Sequence, residues 1–392
     1  MRKSFPDLLS QSLQGKVVLV RVDFNTPLKD GRVADDTRIR ASLGTIKALT
    51  EKGARVVLIS HLSRPGGQVV ESKRLTPVRD ALQELLSQSV HKVDDCIGPQ
   101  VESAIQGLND SDVLLLENIR FYKEEEANDA DFSKTLASYG HYFVQDAFGA
   151  VHRQHASTYG IAQHLPAFSG QLLDKELDYL TQVLNSPQRP LTAIIGGAKI
   201  SSKFSVLENL LQNVDVMVLG GAMVYTLLAA QGHAIGQSLV EPDLIPQANS
   251  FLQRVKALGK TLYLPEDHVV VSSFNDPSTL EVVETLSNDH IGVDAGPKAV
   301  AHIQGLIQSS KTVFWNGPLG VFETPEYAKG TFAVAQSLAD ADHATTIVGG
   351  GDSIAAVNQA GVADKMDHIS TGGGASLEFL EGKLLPGISV LS

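Results

Sequence analysis

Short apolar, β-branched runs alternate with helix-forming segments along almost the whole chain. The segments 16–24 (KVVLVRVDF) and 54–61 (ARVVLISH) predict strands, and residues 36–53 between them predict a helix. A further helix is predicted next, with Thr76 as its N-cap and Pro77 in its first position. Continuous apolar strands separated by helices are typical of parallel βαβ units, whose sheets are covered on both faces.

The alternation restarts after one long helical segment. Leucines recur at helical spacing from Leu173 to Leu184, and NSPQRP (185–190) then breaks the chain. The strands predicted beyond this break are LTAIIGG, VDVMVLGG, KTLYLP, KTVFWNGP, ATTIVGGGD and DHISTGGG. The sequence therefore predicts an α/β protein with two doubly wound, Rossmann-like parallel-sheet lobes joined by a connector helix.

The length of 392 residues agrees with two domains. We predict an N-terminal domain over 1–166, a connector helix over 167–185 and a C-terminal domain over 186–383. The C-terminal tail, 384–392, is expected to pack back on the N-terminal domain.

Composition excludes several classes of protein. With 43% hydrophobic and 19% charged residues the chain is an ordinary globular one, neither disordered nor collagenous. Its single cysteine, Cys96, excludes an intrachain disulfide and a multi-cysteine metal site and fits a reducing compartment. The first residues lack the apolar segment of a signal peptide, so we expect a cytoplasmic protein.

The uncharged run 216–240 is divided by glycines and polar residues, which favours a buried strand, a turn and a helix over a membrane span.

Charge is distributed unevenly along the chain. Residues 1–166 have a net charge of −1 and residues 167–392 a net charge of −11, and eleven of the 13 arginines lie in the first part. Because the planar guanidinium grips carboxylate and phosphate with two hydrogen bonds, the first part suits a compact anion, although any single arginine could equally be solvated surface. The pI near 5.4 disfavours nucleic acid as a partner.

Several loops of the second half share one design, in which a strand ends, a small-residue turn follows and a helix begins. They are GGAK (196–199), GGAM (220–223), NGPLG (316–320), GGGDS (349–353) and TGGGAS (371–376). Free N–H groups at helix N-termini together with glycines predict a phosphate or nucleotide surface, although a left-handed turn explains any one of these loops equally well. The P-loop, the dinucleotide G-x-G-x-x-G after a strand and the protein-kinase motifs are all absent from the sequence.

Polar residues of the first half cluster just after its predicted strands. They are Asp23, Asn25, Arg38, His61, Arg64, Arg120, His152, Arg153 and His155. Since strand carboxyl ends meet at one edge of a parallel sheet, these residues predict a basic pocket for a phosphorylated acid. Two alternatives stay open: His152 and His155 as metal ligands, although no acidic or cysteine partner stands at suitable spacing, and Asp23 as a turn-forming residue.

The motifs together resemble those of the phosphoglycerate kinase family, in the same order, from residue 16 to the end. The segments that carry the resemblance are RVDFNTP, SHLSRP, ENIRFY, DAFGAVHRQHAS, GGAKISSK, WNGPLGVFE, GGGDS and HISTGGGASLEFLEGKLLPG. The resemblance implies reversible transfer of the ATP γ-phosphoryl group to the carboxylate of 3-phosphoglycerate, giving 1,3-bisphosphoglycerate and ADP.

The resemblance also implies the site residues. The acid would be held by Asp23, Asn25, Arg38, His61, Leu62, Ser63, Arg64, Arg120 and Arg153. The nucleotide would be held by Lys199, Lys203, Gly292, Glu323, Gly350, Gly351, Asp352 and Ser353, with Asp352 near Mg²⁺. The catalytic groups would be Arg38, Lys199 and the backbone at Gly350 and Gly373. Asp352 has a simpler alternative role as a helix N-cap.

A carboxylate acceptor is already ionised at neutral pH, so the reaction needs no general base. Catalysis then rests on positioning and on stabilising the transferred group's charge, and two lobes that each hold one substrate would have to close by hinge bending. We expect the enzyme to work as a monomer on small molecules, without nucleic acid or membrane partners.

Two positions depart from the family pattern. Ser63 stands where glycine is usual, which leaves the pose of His61 and Arg64 open, and Gln145 stands where asparagine is commoner. Another carboxylate kinase remains the nearest alternative function. An NAD-dependent dehydrogenase is disfavoured by the missing dinucleotide motif, and a solute-binding protein by the missing export signal.

Overall fold

The computed structural model describes residues 2–391, which divide into two compact units. One unit comprises the chain up to Asp178 together with the segment from Leu384 onward, and the other comprises Tyr179–Lys383.

The first unit is built on a six-stranded parallel sheet with the order β5-β6-β4-β1-β7-β8. Its strands are β1 (Val17–Arg21), β4 (Arg55–Ile59), β5 (Val90–Lys92), β6 (Val113–Leu115), β7 (Tyr142–Gln145) and β8 (Ala167–Ser169), and β2 (Leu28–Lys29) pairs with β3 (Arg32–Val33) in a separate small hairpin. Its helices are α1 (Phe5–Leu9), α2 (Thr37–Glu51), α3 (Thr76–Leu86), α4 (Pro99–Gln106), α5 (Lys123–Glu126) and α6 (Ala130–Ala137). Helix α7 (Gln171–Asn185) leads from this unit into the second.

The strand order of the first sheet positions the polar cluster. Strand β1 is buried throughout and lies between β4 and β7, in parallel with both. The chain runs from β1 towards β4 but from β7 towards β8, so the connections after β1 and β7 diverge to opposite sides and create a crevice at the carboxyl ends of these strands. Asp23 follows β1 and His61 follows β4, so both residues lie at this crevice.

The second unit repeats this architecture with the sheet order β11-β10-β9-β15-β16-β17. The strands are β9 (Leu191–Ile195), β10 (Val216–Leu219), β11 (Thr261–Tyr263), β15 (Thr312–Asn316), β16 (Thr345–Gly349) and β17 (His368–Ile369). A three-stranded antiparallel sheet adds β12 (His268–Val271), β13 (Glu281–Val283) and β14 (Ile291–Ala295). The helices are α8 (Phe204–Asn213), α9 (Val224–Ala230), α10 (Ile245–Ala257), α11 (Pro297–Ser309), α12 (Lys329–Ala339), α13 (Gly351–Gln359) and α14 (Gly374–Leu380). Two doubly wound parallel sheets, as predicted, are confirmed.

Local details differ from the sequence predictions. Residues 167–169 form strand β8, which pairs with β7, so the connector helix begins only at Gln171. The Ala-Phe-Ser segment is fully buried there, and sheet hydrogen bonds satisfy its backbone better than an exposed first helical turn would.

Thr76 is the first residue of α3 and Leu75 is the N-cap, one position earlier than predicted. The antiparallel sheet was not predicted, because its strands are short and β12 is irregular between Val269 and Val270.

The uncharged run 216–240 contains strand β10 and helix α9. Within residues 2–391, every helix is too short or too polar to cross a bilayer.

The last residues of the chain lie in the first unit. They form helix α15 (Pro386–Ser389), and the backbone N–H of Gly387 donates to the carbonyl of Val151 at 2.8 Å. The N–H of Lys3 donates to the carbonyl of Leu391 at 3.0 Å. The first unit therefore contains both ends of the described chain.

Candidate functional site

Asp23 and Arg38 form the centre of the polar cluster in the first unit. Arg38, in the first turn of α2, places Nη1 2.7 Å from Oδ2 of Asp23, and its side chain keeps 34% of its surface exposed. The other oxygen of Asp23 accepts the backbone N–H of Asn25 at 3.3 Å. Asp23 therefore makes the turn-forming contact and the ion pair at once, and Arg38 is held on one side while remaining open on the other.

His61 is held as a neutral hydrogen-bond donor. Its ring is 3% exposed, and Nη2 of Arg21 lies 3.2 Å from His61 Nδ1. A guanidinium can only donate, so Nδ1 must accept and the ring proton must sit on Nε2. Burial lowers the pKa of His61 well below its usual range, and the positive charges of Arg21, Arg153 and Arg38 lower it further. These three arginines are therefore close enough to act on one imidazole.

Arg21 is a residue that the sequence analysis missed. Its guanidinium is 1% exposed, donates to Ser157 Oγ at 2.7 Å and also donates to the carbonyl of Val22. Ser157 in turn donates to the buried carboxylate of Glu125, whose pKa burial raises. An arginine at the end of an apolar strand has no distinctive local signal, so only the packed structure reveals that it orients His61.

Ser63 adopts a left-handed backbone conformation. Its φ is +58°, in the region where glycine is favoured, so serine is strained there. The Ser63 N–H donates to Asn25 Oδ1 at 2.7 Å, and Arg120 Nη1 donates to the Ser63 carbonyl at 2.7 Å. The loop is thus held from both sides, and the departure from glycine leaves the turn in place.

Several other sequence-predicted residues line the same edge. The Leu62 N–H donates to Asn118 Oδ1 at 3.2 Å, and Arg64 is exposed on the loop beyond. Arg120 is 3% exposed, and Arg153 lies beside His152, with Nε 3.3 Å from that ring. These positions place several cations on one side of the sheet.

The alternative metal reading of the two histidines receives no support. Across residues 2–391 no group of three or more His, Cys, Asp or Glu side chains has a metal-binding arrangement. His152 Nε2 accepts from Arg153, and burial lowers the pKa of His155 to about 4.

Gln145, the second position that departs from the family pattern, is buried. Its Nε2 donates to the carbonyl of Thr158 at 3.0 Å, which holds the segment that contains Ser157.

The glycine loops of the second unit serve two different purposes. A Cβ at Gly196 would lie 2.0 Å from the carbonyl oxygen of Pro318, and a Cβ at Gly317 would lie 2.1 Å from that of Gly196. These glycines are required because the loops pack against each other. Gly351 and Gly373, in contrast, face open space, so their backbone is accessible to a ligand.

An anion site is built where β15 meets the start of α13. Lys203 Nζ donates to Oδ1 of Asn316, and the buried Nδ2 of Asn316 has no hydrogen-bond partner within residues 2–391. A Cβ at Gly350 would lie 2.9 Å from that Nδ2, so a side chain at position 350 would press on the amide. Burial lowers the pKa of Lys203, whereas the charges of Asp352 and Glu381 oppose this shift. A lysine, an unsatisfied amide donor and a helix N-terminus together suit a phosphate group.

Gly350 is the N-cap of α13, with φ of +89°. Asp352 lies in the first turn of that helix, so the N-cap role considered for it is not adopted. Mg²⁺ often binds through one protein carboxylate, substrate phosphates and waters. Asp352 supplies an exposed carboxylate of this kind beside the phosphate site. The residues present therefore fit a magnesium–nucleotide complex.

A cavity of about 220 Å³ lies beside the anion site in the second unit. Its lining includes Gly292, Glu323 and Asp352, all predicted from the sequence, together with Tyr225 and His268, which were not. Lys199 is exposed on the loop after β9, and the neighbouring Ala198 lines the cavity. Asn316 was also missed as a site residue, although its loop was recognised.

The model of the family described as phosphoglycerate kinase matches residues 8–383. The chain belongs to the phosphoglycerate kinase family. The solved structure of phosphoglycerate kinase from Coxiella burnetii is 37% identical and superposes with a TM-score of 0.91, covering 100% of this chain and 99% of that one. The structure from Pyrococcus horikoshii OT3 is 30% identical, with a TM-score of 0.84 and coverage of 99% and 98%.

Membership of this family establishes the reaction. The chain is an ATP-dependent phosphotransferase that acts on 3-phosphoglycerate, and its substrates are small molecules. The resemblance stated from the sequence motifs is confirmed.

Proposed function

We propose that the arginine-rich cluster of the first unit binds 3-phosphoglycerate, that the cavity of the second unit binds MgATP, and that the γ-phosphoryl group passes reversibly to the acid's carboxylate. The observation that carries this assignment is the unpartnered Asn316 amide beside Lys203 and the N-terminus of α13. A buried donor without an acceptor is costly, and a phosphate oxygen would remove that cost if the loop at Gly350 shifts to admit it.

The acid substrate has a carboxylate and a phosphate, and the first unit offers donors for both. Arg38 supplies an exposed guanidinium and His61 a neutral Nε2–H, while Asn25, Arg64, Arg120 and Arg153 complete the proposed site. Leu62 and Ser63 contribute their backbone. Asp23 anchors Arg38 and sets its direction.

The nucleotide's phosphates would lie at the start of α13, over Gly350 to Ser353 and near Lys203. Gly292 and Glu323 line the cavity that would hold the rest of the nucleotide. Asp352 would hold Mg²⁺, which, when bound, neutralises charge on the phosphate oxygens.

Arg38 from the acid side, Lys199 from the nucleotide side and the backbone N–H groups near Gly350 and Gly373 would stabilise the charge on the transferred group. The acceptor carboxylate is ionised at neutral pH, so none of these residues needs to remove a proton. We further propose a monomeric cytoplasmic enzyme whose N-terminal and C-terminal domains each bind one substrate. The single, buried Cys96 is consistent with a reducing compartment.

A coupled assay of ADP formation tests the assignment. We expect turnover that requires ATP, Mg²⁺ and 3-phosphoglycerate together, and no comparable turnover when acetate or aspartate replaces the acid. Equal activity with acetate would instead support another carboxylate kinase. The matched variants are Asn316→Asp, which should raise the KM for ATP by repulsion of phosphate, and Asn213→Asp on the end of α8 as a control outside the cavity.

A further inference from the structure

Two polar side chains at the inner part of the cavity have no role in phosphate or acid binding. Tyr225, on α9, and His268, the first residue of β12, are 3% and 4% exposed. The Tyr225 hydroxyl lies 3.4 Å from His268 Nδ1, a long hydrogen bond, and both residues line the cavity. Other residues that line this cavity include the apolar Pro265, Leu319 and Val321 and the carboxylic acid Asp294.

The hydrogen bonds around this pair involve Ser238 and the backbone of Gly292. The backbone N–H of Gly292 donates to Ser238 Oγ at 2.9 Å, so the Ser238 hydroxyl proton is free for another acceptor. Burial raises the pKa of Tyr225 and the charge of Asp294 adds to this, whereas a hydrogen bond from Ser238 opposes the rise. Ser238 can therefore donate to Tyr225. When the Tyr225 proton is directed to His268 Nδ1, the proton of the His268 ring lies on Nε2.

In this tautomer the Nε2–H group of His268 has no acceptor within residues 2–391. Among residues 2–391 no hydrogen bond to this nitrogen is formed, yet it is not one of the fully enclosed polar atoms that lack a partner, so it keeps some accessible surface. The pKa of His268 is lowered to about 4, mainly by burial, and the nearby His233 also lowers it while Asp267 opposes the shift. The ring is therefore neutral at pH 7. The ring borders the nucleotide cavity and also a second cavity of about 300 Å³ lined by His233 and Glu266.

The phosphate end of the nucleotide cavity is marked by Asp352 and the N-terminus of α13. The part of the lining formed by Tyr225, His268 and Gly292 belongs to α9, β12 and β14, away from that helix, and it is the part suited to an uncharged ring. A Cβ at Gly292 would lie 1.6 Å from the Tyr225 hydroxyl, so glycine at this position allows the tyrosine to sit against β14.

We propose that His268, oriented by Ser238 and Tyr225, donates a hydrogen bond from Nε2 to a ring nitrogen of the nucleobase and so contributes to base selection. This inference rests on the proposed nucleotide site. A buried donor that meets C–H in place of a ring nitrogen stays unpaired, and this penalty gives a discrimination of roughly tenfold in affinity.

Steady-state kinetics with ATP and its 1-deaza, 3-deaza and 7-deaza analogues test the proposal. We expect the wild-type enzyme to show a KM about tenfold higher for one of the three analogues, with kcat little changed. His268→Leu should raise the KM for ATP by a similar factor and lose the discrimination. The control is His302→Leu, because His302 stacks on Tyr263 at 4.2 Å outside this cavity and should keep both values.

Nitrogen-15 NMR of the wild-type protein supplies a readout that does not depend on turnover or on how the variants fold. The His268 ring should show the Nε2–H tautomer, its Nε2 resonance should shift when ADP is added, and Tyr225→Phe should release the tautomer preference. Equal KM for all four nucleotides, an Nε2 resonance unmoved by ADP, or discrimination that survives in His268→Leu would overturn the proposal. Failure of the proposed function would be seen separately, as wild-type enzyme without 3-phosphoglycerate-dependent ADP formation.

Discussion

Arg38 combines one fixed contact with an open face, which is the arrangement expected of a group that stabilises charge during transfer. Its ion pair with Asp23 orients the guanidinium, and a third of the side chain stays exposed for a ligand. We predict that Arg38→Ala lowers kcat roughly a thousandfold or more, because a charge-stabilising donor is lost from the transition state. Steady-state kinetics and circular dichroism would measure activity and fold.

Arg40 provides the matched control for this prediction. It lies two residues further along α2, is more exposed and pairs only with Asp36 on the surface. Arg40→Ala should keep near-normal turnover and stability, since exposed ion pairs contribute little. Near-normal turnover in Arg38→Ala would refute the catalytic role of Arg38.

Ser63 leads to a prediction about stability. Its left-handed φ is strained for serine, and glycine removes that strain while adding freedom to the unfolded chain. We expect Ser63→Gly to raise the free energy of unfolding by up to about 1 kcal/mol in urea denaturation. Ser87→Gly, at φ of +55° at the end of α3, should give a similar gain with unchanged KM for 3-phosphoglycerate. A clear loss of stability in Ser63→Gly would contradict this account.

At the residue scale, the sequence predicted much of the polar cluster, because residues that follow parallel strands must meet at one edge. Arg38 and His61 are examples. It could not predict that Arg21 fixes the tautomer of His61, nor that Asn316 keeps an unsatisfied amide. Both facts depend on distances between side chains from separate segments, which no local pattern encodes.

Among the elements, helix α7 begins against a buried carboxylate, that of Asp146, which follows strand β7. Asp146 Oδ1 accepts the N–H groups of Leu172 and Leu173 at 3.0 and 3.3 Å, while Oδ2 has no hydrogen-bond partner among residues 2–391. Burial raises the pKa of Asp146 to about 7, although hydrogen bonds from Thr45, Leu173 and Leu172 oppose the shift. The folded state therefore holds a proton that the unfolded state releases near pH 4.

This linkage makes the contribution of Asp146 to stability fall as pH rises from about 4 to 7, by at most about 4 kcal/mol. Asp146→Asn removes the titration, so the difference in free energy of unfolding between wild type and variant should change across this range. Urea denaturation at pH 5 and pH 7.5 measures it. A difference that is constant with pH would show that Asp146 stays ionised in the folded protein.

The two kinds of glycine loop should respond differently to alanine. Gly196→Ala places a methyl group against the backbone of Pro318 and should cost several kcal/mol of stability, as overpacking does. Gly351→Ala meets open space and should leave the melting temperature nearly unchanged. It should nevertheless raise the KM for ATP, because the methyl group stands at the proposed phosphate site. Equal effects of the two variants on stability would refute this distinction.

At the element scale, long periodic segments were predictable and short buried ones were not. Helix α2 and strand β4 have the predicted type and nearly the predicted bounds. Strand β8 was taken as helix, since three residues carry too little periodicity to oppose the leucine pattern that follows. The glycine loops were predicted to form a ligand surface as a group, but the sequence could not show that Gly196 and Gly317 pack against each other's loops.

For the whole molecule, transfer requires the reacting oxygen and phosphorus to come within about 3–3.5 Å. Because we assign one substrate to each unit, we predict that the radius of gyration in solution falls when 3-phosphoglycerate and a non-hydrolysable MgATP analogue bind together. Small-angle X-ray scattering would measure this, with each ligand alone as the control. An unchanged radius with both ligands bound would contradict hinge closure.

The placement of α15 has a consequence for biosynthesis. The first unit contains the segment from Leu384 onward, which hydrogen-bonds to Val151 and Lys3. A ribosome makes this segment only after the whole of the second unit has been translated. The first unit therefore cannot complete its fold when its own sheet emerges, and a nascent chain must wait for residues beyond Lys383 before α15 can dock.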